Sequence, residues 1–397
     1  MKRPLKLLST LAALVTLFAA MTFAQTKYVI TNDNNFDSPG NSASIFAVGN
    51  GGALSQVTTI PTGGYGSGSG SFGTAMVSVL RSKAHDCAYI GDIFGKYGVP
   101  PGDIAAIDIS NLTLAGSFPG FPLDNGELDG VGLAENPSGT FLFASYSSSG
   151  TITTYKQLAG CKLKRVGEVI TVGAGYGSVD GMKVTPNGNF LILAYSDGSL
   201  GSYKIDATTG ALTLINRYLV ADGGLASGVD ITSDSKWALF GDASTIPTVE
   251  VAPIGSDGSL GQTIGYAGIG TGVNSNNVWL SPDETLLYIS NNKSGQITAA
   301  PFDRATGVIN IAKSCTSAVL KGYGSTWLSL GGVVSSGAVG TGSPLYASEP
   351  SGTPTSGSIA IVDVKKPCAL TESSASPAQD SASGWLLSIG VDPPRSF

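Results

Sequence analysis

Short apolar runs recur seven times along the chain, each preceded by a turn and followed by small or polar residues. They begin at Tyr28, Ala88, Phe141, Phe190, Trp237, Leu286 and Leu345, so successive runs start 60, 53, 49, 47, 49 and 59 residues apart. Self-similarity at a period of this size indicates a repeat architecture, in which each unit packs on its neighbours.

The best-formed unit is VWLSPDETLLYISNNKSGQITAAPFDRATGVINIAKS. It predicts four short strands separated by turns at Pro282-Asp283, Asn291 to Gly295 and Thr306-Gly307, with β-branched and aromatic residues between them. Four strands per repeat predict an all-β fold, a seven-bladed β-propeller of four-stranded blades. A β-helix would need a shorter and more regular repeat. No segment carries an apolar pattern at helical spacing over three turns, so we expect almost no helix outside the N-terminal leader.

The two ends of the chain are out of phase with the repeat. The first unit opens with YVITN, which corresponds to a second strand, whereas the C-terminal GWLLSIGVDPP corresponds to a first strand. We therefore expect Trp385 to Gly390 to pair beside Tyr28 to Thr31. This pairing closes the ring and leaves no free sheet edge at the join.

Residues 1–24 predict a secretory signal peptide. Lys2, Arg3 and Lys6 precede an apolar stretch from Leu7 to Ala20, and small residues suit cleavage before Gln25. An uncleaved N-terminal anchor is the alternative, because the apolar stretch is fairly long. We expect residues 25–397 to form one propeller domain, a secreted or periplasmic monomer without a membrane span.

Charge and composition narrow the possible partners. Removing the three basic leader residues from the 22 in the chain leaves 19 against 28 acidic ones. Such an acidic chain without a basic stripe argues against nucleic acid and anionic membranes as partners. His85 is the only histidine, which excludes His-rich metal sites.

Four cysteines in an exported chain permit three pairings. Cys87 and Cys161 both belong to bottom-face turns of neighbouring predicted blades, so we favour that bridge. Cys315 with Cys368 then follows, although we expect these two at opposite ends of their blades.

The stretches SPDETLLYISNN and TPNGNFLILAYSDGSLGSYKIDATTGALT resemble the YVTN-repeat, lactonase-like seven-bladed propellers, and Tyr28 to Asn32 (YVITN) is close to the namesake motif. The resemblance extends over essentially the whole mature chain. It implies this fold and an assortment of functions: 6-phosphogluconolactone hydrolysis, muconate lactone cyclisation, and exported members without assigned chemistry. Fold alone does not choose among these.

The resemblance also implies a His and Arg/Glu constellation at the top of the inner strands in the enzymes. Here the corresponding segments GELDGVGLAENP, YGSVDGMKVTP, LASGVDITS and NSNNVWLSP contain no histidine. His85 falls in the Ser82 to Asp86 hairpin on the opposite face, Arg217 on an outer strand, and Glu127 has no obvious partner. The sequence therefore favours a non-catalytic propeller, with a lactone hydrolase or isomerase as the alternative.

Oxygen-bearing side chains stand at the entry to three inner strands. Asp129 and Asp180 each precede a glycine, and Asn276 stands ten residues before its apolar run, as Asp180 does. Inner strands converge on the propeller axis, so these residues predict a site for Ca²⁺ or another divalent cation. The alternative is that they only form turns. A D-x-N-x-D spacing from Asp33 to Asp37 begins like a calcium loop but lacks its glycine and glutamate, which favours a plain polar turn.

Three Gly-Tyr-Gly segments fall between the outer strand of one blade and the inner strand of the next. Their tyrosines, Tyr65, Tyr176 and Tyr323, are expected to rim the tunnel on the top face, the face that carries these connections. With Trp327 on an inner strand they predict a mouth that binds a small molecule, a glycan or a protein. The alternative is packing between blades, with glycine supplying unusual backbone angles.

Overall fold

The computed structural model describes residues 28–37, 40–68, 79–95, 102–120, 131–147, 149–173, 178–220, 226–242, 248–269, 275–322, 329–333, 344–349, 357–365, 368–382 and 388–392. Within these ranges seven antiparallel sheets form a ring, which confirms the seven-bladed propeller. Helix in the described ranges is confined to two 3₁₀ turns, Asn50–Gly52 and Ile311–Lys313, as expected.

Each of the first three blades uses four strands, which follow one another from the tunnel outwards. Blade 1 consists of β30 (Ser388–Asp392), β1 (Tyr28–Asn32), β2 (Ser42–Val48) and β3 (Leu54–Pro61). Blade 2 consists of β4 (Val79–Arg81), β5 (Cys87–Gly91), β6 (Asp103–Asp108) and β7 (Thr113–Pro119). Blade 3 consists of β8 (Val131–Glu135), β9 (Phe141–Tyr146), β10 (Thr151–Leu158) and β11 (Lys162–Thr171).

The remaining blades follow the same order. Blade 4 consists of β12 (Val179–Val184), β13 (Phe190–Tyr195), β14 (Ser199–Ile205) and β15 (Leu212–Leu219), and blade 5 of β16 (Ala226–Ile231), β17 (Trp237–Asp242), β18 (Thr248–Pro253) and β19 (Ile264–Ala267). Blade 6 consists of β20 (Ser275–Leu280), β21 (Leu286–Asn291), β22 (Gln296–Asp303) and β23 (Val308–Ile309), with β24 (Cys315–Thr316) also on β22. Blade 7 consists of β25 (Ser329–Val333), β26 (Pro344–Glu349), β27 (Ser358–Lys365) and β28 (Ala369–Glu372), with β29 (Ala378–Gln379) also on β27.

The hydrophobic core lies between blades, and it explains the visible repeat. Second strands such as β9 and β13 are buried at every residue, because neighbouring blades cover both of their faces. They therefore read as continuous apolar runs. Outer strands such as β3 alternate between exposed and half-buried residues, since only one face is covered. Burial of the second strands between blades therefore stabilises the fold.

The ring closes through the C-terminal strand. β30 pairs antiparallel with β1, and Ile30 lies opposite Gly390 while Tyr28 lies opposite Asp392. The predicted closure is confirmed, but the strand begins at Ser388, later than predicted, and Trp385 lies outside the described residues. In the described part of the chain no helix is long and apolar enough to span a membrane.

Both predicted disulfides are present. Cys87 at the start of β5 bonds to Cys161 in the β10–β11 turn, which links blades 2 and 3 with Cα atoms 5.6 Å apart. Cys315 on β24 bonds to Cys368, which precedes β28, and links blades 6 and 7 with Cα atoms 5.8 Å apart. The expectation of opposite blade ends was wrong for this second pair, because β24 returns to pair beside Ala299, whose carbonyl also contacts Cys368 Sγ.

Replacing Cys87 and Cys161 together by serine is expected to lower the free energy of unfolding by about 2–5 kcal/mol, because the bridge constrains the unfolded chain. The bridge spans 74 residues, against 53 for Cys315–Cys368, so the second double replacement is the matched comparison. Urea unfolding of both variants under non-reducing conditions measures the effect. An unchanged midpoint for the Cys87/Cys161 variant would show that the bridge contributes nothing.

Candidate functional site

One position at the top end of every second strand is buried and polar or aromatic. It is the last residue of the strand or the next one, and it lies opposite the first residue of the third strand, as Asp242 lies opposite Thr248. In blades 1 to 7 its occupants are Asp33, Asp92, Tyr146, Tyr195, Asp242, Asn291 and Glu349, and none is more than 2% exposed. We call it the strand-end position. Four of its seven occupants are acids, so ionisable groups lie beneath the top-face connections.

Asp92, the strand-end residue of blade 2, is fully buried against blade 1. Its Oδ1 accepts hydrogen bonds from Asn41 Nδ2 at 2.6 Å and Thr62 Oγ1 at 3.0 Å. Its Oδ2 has no hydrogen-bond partner among the described residues. Burial raises the pKa of Asp92 to about 8, the donors Asn41, Thr62 and the Gly64 backbone oppose the rise, and nearby Asp103 adds to it. The carboxyl is therefore mostly protonated at neutral pH.

Tyr65 lies on the loop between β3 and β4, where the sequence predicted a ligand-binding residue. Its backbone N–H donates to Phe94 O at 2.8 Å, and Phe94 N–H donates back to Tyr65 O at 3.0 Å. The half-buried Tyr65 ring packs edge-on against Phe36 with centroids 6.4 Å apart, and Phe36 packs on Phe94 at 5.6 Å. Phe36 is 47% exposed. We call Phe36, Tyr65 and Phe94 the aromatic patch, in which the exposed Phe36 ring lies on the half-buried Tyr65 and the buried Phe94.

Two acids meet at the ring-closing interface of blades 7 and 1. Asp33 follows β1, Asp380 follows β29, and their carboxyl groups hydrogen-bond to each other. Thr31 Oγ1 lies 2.6 Å from Asp33 Oδ1 and 3.3 Å from Asp380 Oδ2, while Ser44 Oγ lies 3.1 Å from both groups. Burial raises the pKa of both acids, and the charge of Asp380 raises that of Asp33 further. Both carboxyl groups therefore favour the protonated form more than an exposed acid does.

Glu349 occupies the strand-end position of blade 7. Its Oε2 accepts a hydrogen bond from Ser358 Oγ at 2.9 Å, and its Oε1 has no hydrogen-bond partner in the described part of the chain. Burial raises the pKa of Glu349 to about 7, Glu372 adds to the rise, and Lys321 opposes it. The chemistry of Asp92 is thus repeated at a second interface.

The predicted tunnel residues Asp180 and Asn276 occupy equivalent positions, as their spacing indicated. Each is the extra residue of a β-bulge, in β12 and β20 respectively, where the register to the second strand shifts. Asp180 Oδ1 is buried and has no hydrogen-bond partner among the described residues, and burial raises the pKa of Asp180 to about 6. Asp230 was not expected to be equivalent, and it pairs opposite Leu239 beyond the bulge of β16.

Asp230 instead joins three inner strands. Lys183 Nζ lies 2.5 Å from Asp230 Oδ1, and the N–H of Leu280 donates to Oδ2 at 2.6 Å. The same ammonium lies 4.7 Å from the centre of the Trp279 ring, a cation–π distance. These contacts tie blades 4, 5 and 6 together, and they assign Asp230, Lys183 and Trp279 to the inner wall of the ring.

Several predicted site residues lie outside the described residues: Asp129, Tyr176, Tyr323 and Trp327. The side chain of Asn276 lies outside them too, so its equivalence with Asp180 rests on the backbone register. Within the described chain, no group of three or more His, Cys, Asp or Glu residues is arranged to hold a metal ion. The Asp33 segment is a polar turn, in which the N–H of Asn34 donates to Asn32 Oδ1 at 3.0 Å.

His85 and Arg217 fall where the sequence indicated. His85 lies in the β4–β5 hairpin on the bottom face, where it is half-buried and its Nε2 lies 3.0 Å from Gly139 O. Arg217 lies on the outer strand β15, pairs with Asp197 at 2.8 Å and stacks over Tyr195 at 3.7 Å. Both side chains are occupied by contacts that hold loops and blades together.

The roles of the acids at the strand-end position and of Asp380 were not predicted from the sequence. A signal was present, since an acid closely follows the apolar run in four repeats, at Asp33, Asp92, Asp242 and Glu349. It was obscured because an acid after a strand ordinarily begins a solvated turn. Such an acid becomes buried only when the preceding blade packs against it. For Asp33 that blade is blade 7, which is distant in sequence.

No protein-family model matches the sequence, and no curated protein matches it. Solved structures do match. A protein from Bacteroides uniformis proposed to be a 6-phosphogluconolactonase superposes with a TM-score of 0.60 at 16% identity, over 74% of this chain and 83% of that one. The periplasmic gluconolactonase of Pseudomonas aeruginosa superposes with a TM-score of 0.57 at 14% identity, over 72% of this chain and 81% of that one.

The fold is that of the lactonase-like propellers. A second protein proposed to be a 6-phosphogluconolactonase, from Bacteroides fragilis, gives the same TM-score of 0.60 at 14% identity, over 74% of this chain and 82% of that one. At such identities the likeness extends to the fold, and activity has to be argued from the site.

Proposed function

We propose that this protein is an exported lactonase-like propeller that binds a small neutral polyhydroxylated molecule, a sugar or an aldonolactone, at the aromatic patch. The observation that carries the proposal is the exposed ring of Phe36, held edge-on by Tyr65 and Phe94. Aromatic faces stack on the C–H faces of such molecules while neighbouring polar groups bind hydroxyls.

Polar groups and charge support this class of ligand. Ser67, two residues after Tyr65, is a half-buried hydroxyl on the same loop, and its N–H donates to Asn34 Oδ1 at 2.7 Å, so that the buried Asn34 holds the two loops together. The acidic balance of the chain disfavours phosphorylated sugars, which would be repelled. Export is supported by the leader sequence and by two disulfides, which persist in oxidising compartments.

Isothermal titration with D-glucono-1,5-lactone, gluconate and neutral monosaccharides tests binding. We expect at least one of these probes to bind, and Phe36→Ala to weaken that affinity by about tenfold, as loss of an aromatic stacking contact does. Leu219→Ala is the matched control, because Leu219 is a 67% exposed apolar residue on the outer strand of blade 4. The proposal fails if no probe binds, or if Phe36→Ala binds as tightly as the parent protein.

A lactone hydrolase is the second candidate, favoured by Asp180. A half-buried carboxyl whose Oδ1 is buried without a partner among the described residues, and whose pKa is raised to about 6, suits a general base at mildly acidic to neutral pH. Asp180 is also the described member of the Ca²⁺ set proposed with Asp129 and Asn276, in which oxygen ligands would hold the cation. Lactone opening is followed by NMR, after subtraction of the spontaneous rate, for the parent protein, Asp180→Asn and chelator-treated protein. Lactone binding without acceleration would exclude this candidate and leave the binding protein.

A further inference from the structure

Connections between blades pack on the strand-end side chain of the blade that they enter. A Cβ atom on Gly64 would lie 2.5 Å from Asp92 Oδ2, so only glycine fits there. The same close approach recurs between Gly322 and Glu349, and between Gly120 and Tyr146. Gly64 and Gly322 are the first residues of two of the three Gly-Tyr-Gly segments. In these two segments the first glycine is therefore explained by the buried side chain beneath it.

The chemistry of that contact differs around the ring. In blades 3 and 4 the strand-end residue is a tyrosine whose hydroxyl bonds to a second tyrosine, Tyr146 to Tyr155 at 3.0 Å and Tyr195 to Tyr203 at 3.1 Å. In blades 2 and 7 it is an acid with one oxygen that has no partner in the described residues. The first kind of contact is neutral and satisfied, whereas the second can acquire a buried charge.

We propose that Asp92 anchors the loop that carries Tyr65 only while its carboxyl is protonated, so that the aromatic patch is ordered in acid and loosened as the pH rises. Two contacts place Asp92 in control of this loop. Its Oδ2 lies against the backbone of Gly64, and Phe94, two residues after Asp92, forms both backbone hydrogen bonds to Tyr65. This regulation of the patch rests on the proposed function, since it matters only if the patch binds a ligand, but its test needs no ligand.

The groups that face Asp92 leave an ionised carboxylate poorly compensated. Asn41 and Thr62 donate to Oδ1, and the backbone N–H of Gly64 also favours the charged form. These donors are neutral, and the charged side chain nearby is Asp103, which repels a second negative charge. An ionised Asp92 regains water only if the loop at Gly64 moves away, since an uncompensated buried charge is costly.

The direction in which pH changes loop opening follows from the difference between the pKa of Asp92 in the closed loop and in the opened loop. The pKa of Asp92 is about 8 in the closed loop, and an opened loop restores an ordinary value near 4. Opening is thus unaffected by pH below about 4, becomes up to about tenfold more favourable per pH unit above that, and levels off above about 8.

Hydrogen–deuterium exchange of the Tyr65 and Phe94 amides, corrected for the intrinsic pH dependence of exchange, measures loop opening. In the full chain we expect their protection factors to fall by up to about tenfold per pH unit between pH 5 and 8. Asp92→Asn keeps a neutral side chain of the same shape and should hold protection constant over this range. Amides of β13 in blade 4, the strand that ends at the neutral Tyr195, report global opening and serve as the internal reference.

Glu349→Gln is the matched variant, because it removes the equivalent acid from the blade 6–7 interface. It should leave the pH profile of Tyr65 and Phe94 unchanged. Should Asp92→Asn not fold, the unmodified protein still decides, since flat protection at Tyr65 and Phe94 between pH 5 and 8 overturns the proposal. A pH dependence that persists in Asp92→Asn overturns it as well. Either result leaves the ligand titration valid, so failure of the anchor and failure of the binding function are distinguishable.

Discussion

Raising the pH from 5 to 8 is expected to lower the free energy of unfolding by several kcal/mol. Loss of hydration raises the pKa values of half-buried Asp180 and of buried Glu349 and Asp92 to about 6, 7 and 8. A group whose pKa is higher in the folded state contributes stability that is complete below its unfolded pKa. That contribution is lost as the pH rises through the folded value, and it amounts to roughly 1.4 kcal/mol for each tenfold difference between the folded and unfolded ionisation constants of a buried group. The Asp33–Asp380 pair acts in the same direction.

Exposed acids have the opposite effect, because they limit the stability of the protein at low pH. Turn hydrogen bonds lower the pKa of Asp206, Asp257 and Asp303, whose contribution is present above about pH 4 and is lost on further acidification. Stability should therefore be greatest near about pH 4–5, which is more acidic than the usual maximum.

Urea unfolding at pH 5, 6.5 and 8 measures this profile. Asp92→Asn should raise the midpoint at pH 8 and change it little at pH 5, because it removes a group that must ionise inside the protein. Asp206→Asn, at a fully exposed turn, should alter stability only on the acidic side of the maximum. A protein that becomes more stable from pH 5 to pH 8 would contradict the assignment of neutral buried acids.

Deleting residues 388–397 is expected to abolish the cooperative fold of the propeller. The deletion removes β30, whose residues pair with β1 from Tyr28 to Asn32, and with it the buried Ile389. The exposed edge of β1 is a template for pairing with another chain, so the product should self-associate.

Light scattering after size exclusion and a thermal melt test the deletion. Removing only 393–397 is the matched control, since it leaves β30 in place. A 388–397 deletion that stays monomeric and melts at the parent temperature would show that the ring does not depend on its closing strand.

The fold could be predicted because the buried second strands recur along the sequence with the period of the blades. Neighbouring blades cover both faces of strands such as β13, so each becomes an uninterrupted apolar run that marks its repeat. The closing strand was placed too early, because its limits are set by pairing with Tyr28 to Asn32 and not by the apolar residues before Ser388. Local composition carries no information about that register.

The candidate site was less predictable, because it is formed between blades. The equivalence of Asp180 and Asn276 could be predicted from a shared spacing, since a bulge recurs at a fixed place in a repeat. The contact of Asp33 with Asp380 could not, since it joins the two ends of the chain. Gly64 was visible as a motif, but its reason, the carboxyl of Asp92 beneath it, belongs to the next blade.

A crystal structure of the protein soaked with the tightest-binding lactone or sugar would show whether the aromatic patch is the ligand site. We expect ligand density on the top face, stacked on Phe36 and in contact with the loop that carries Tyr65, and no such density in Phe36→Ala crystals. Density confined to another part of the surface, or occupancy unchanged by Phe36→Ala, would contradict the assignment of the aromatic patch as the ligand site.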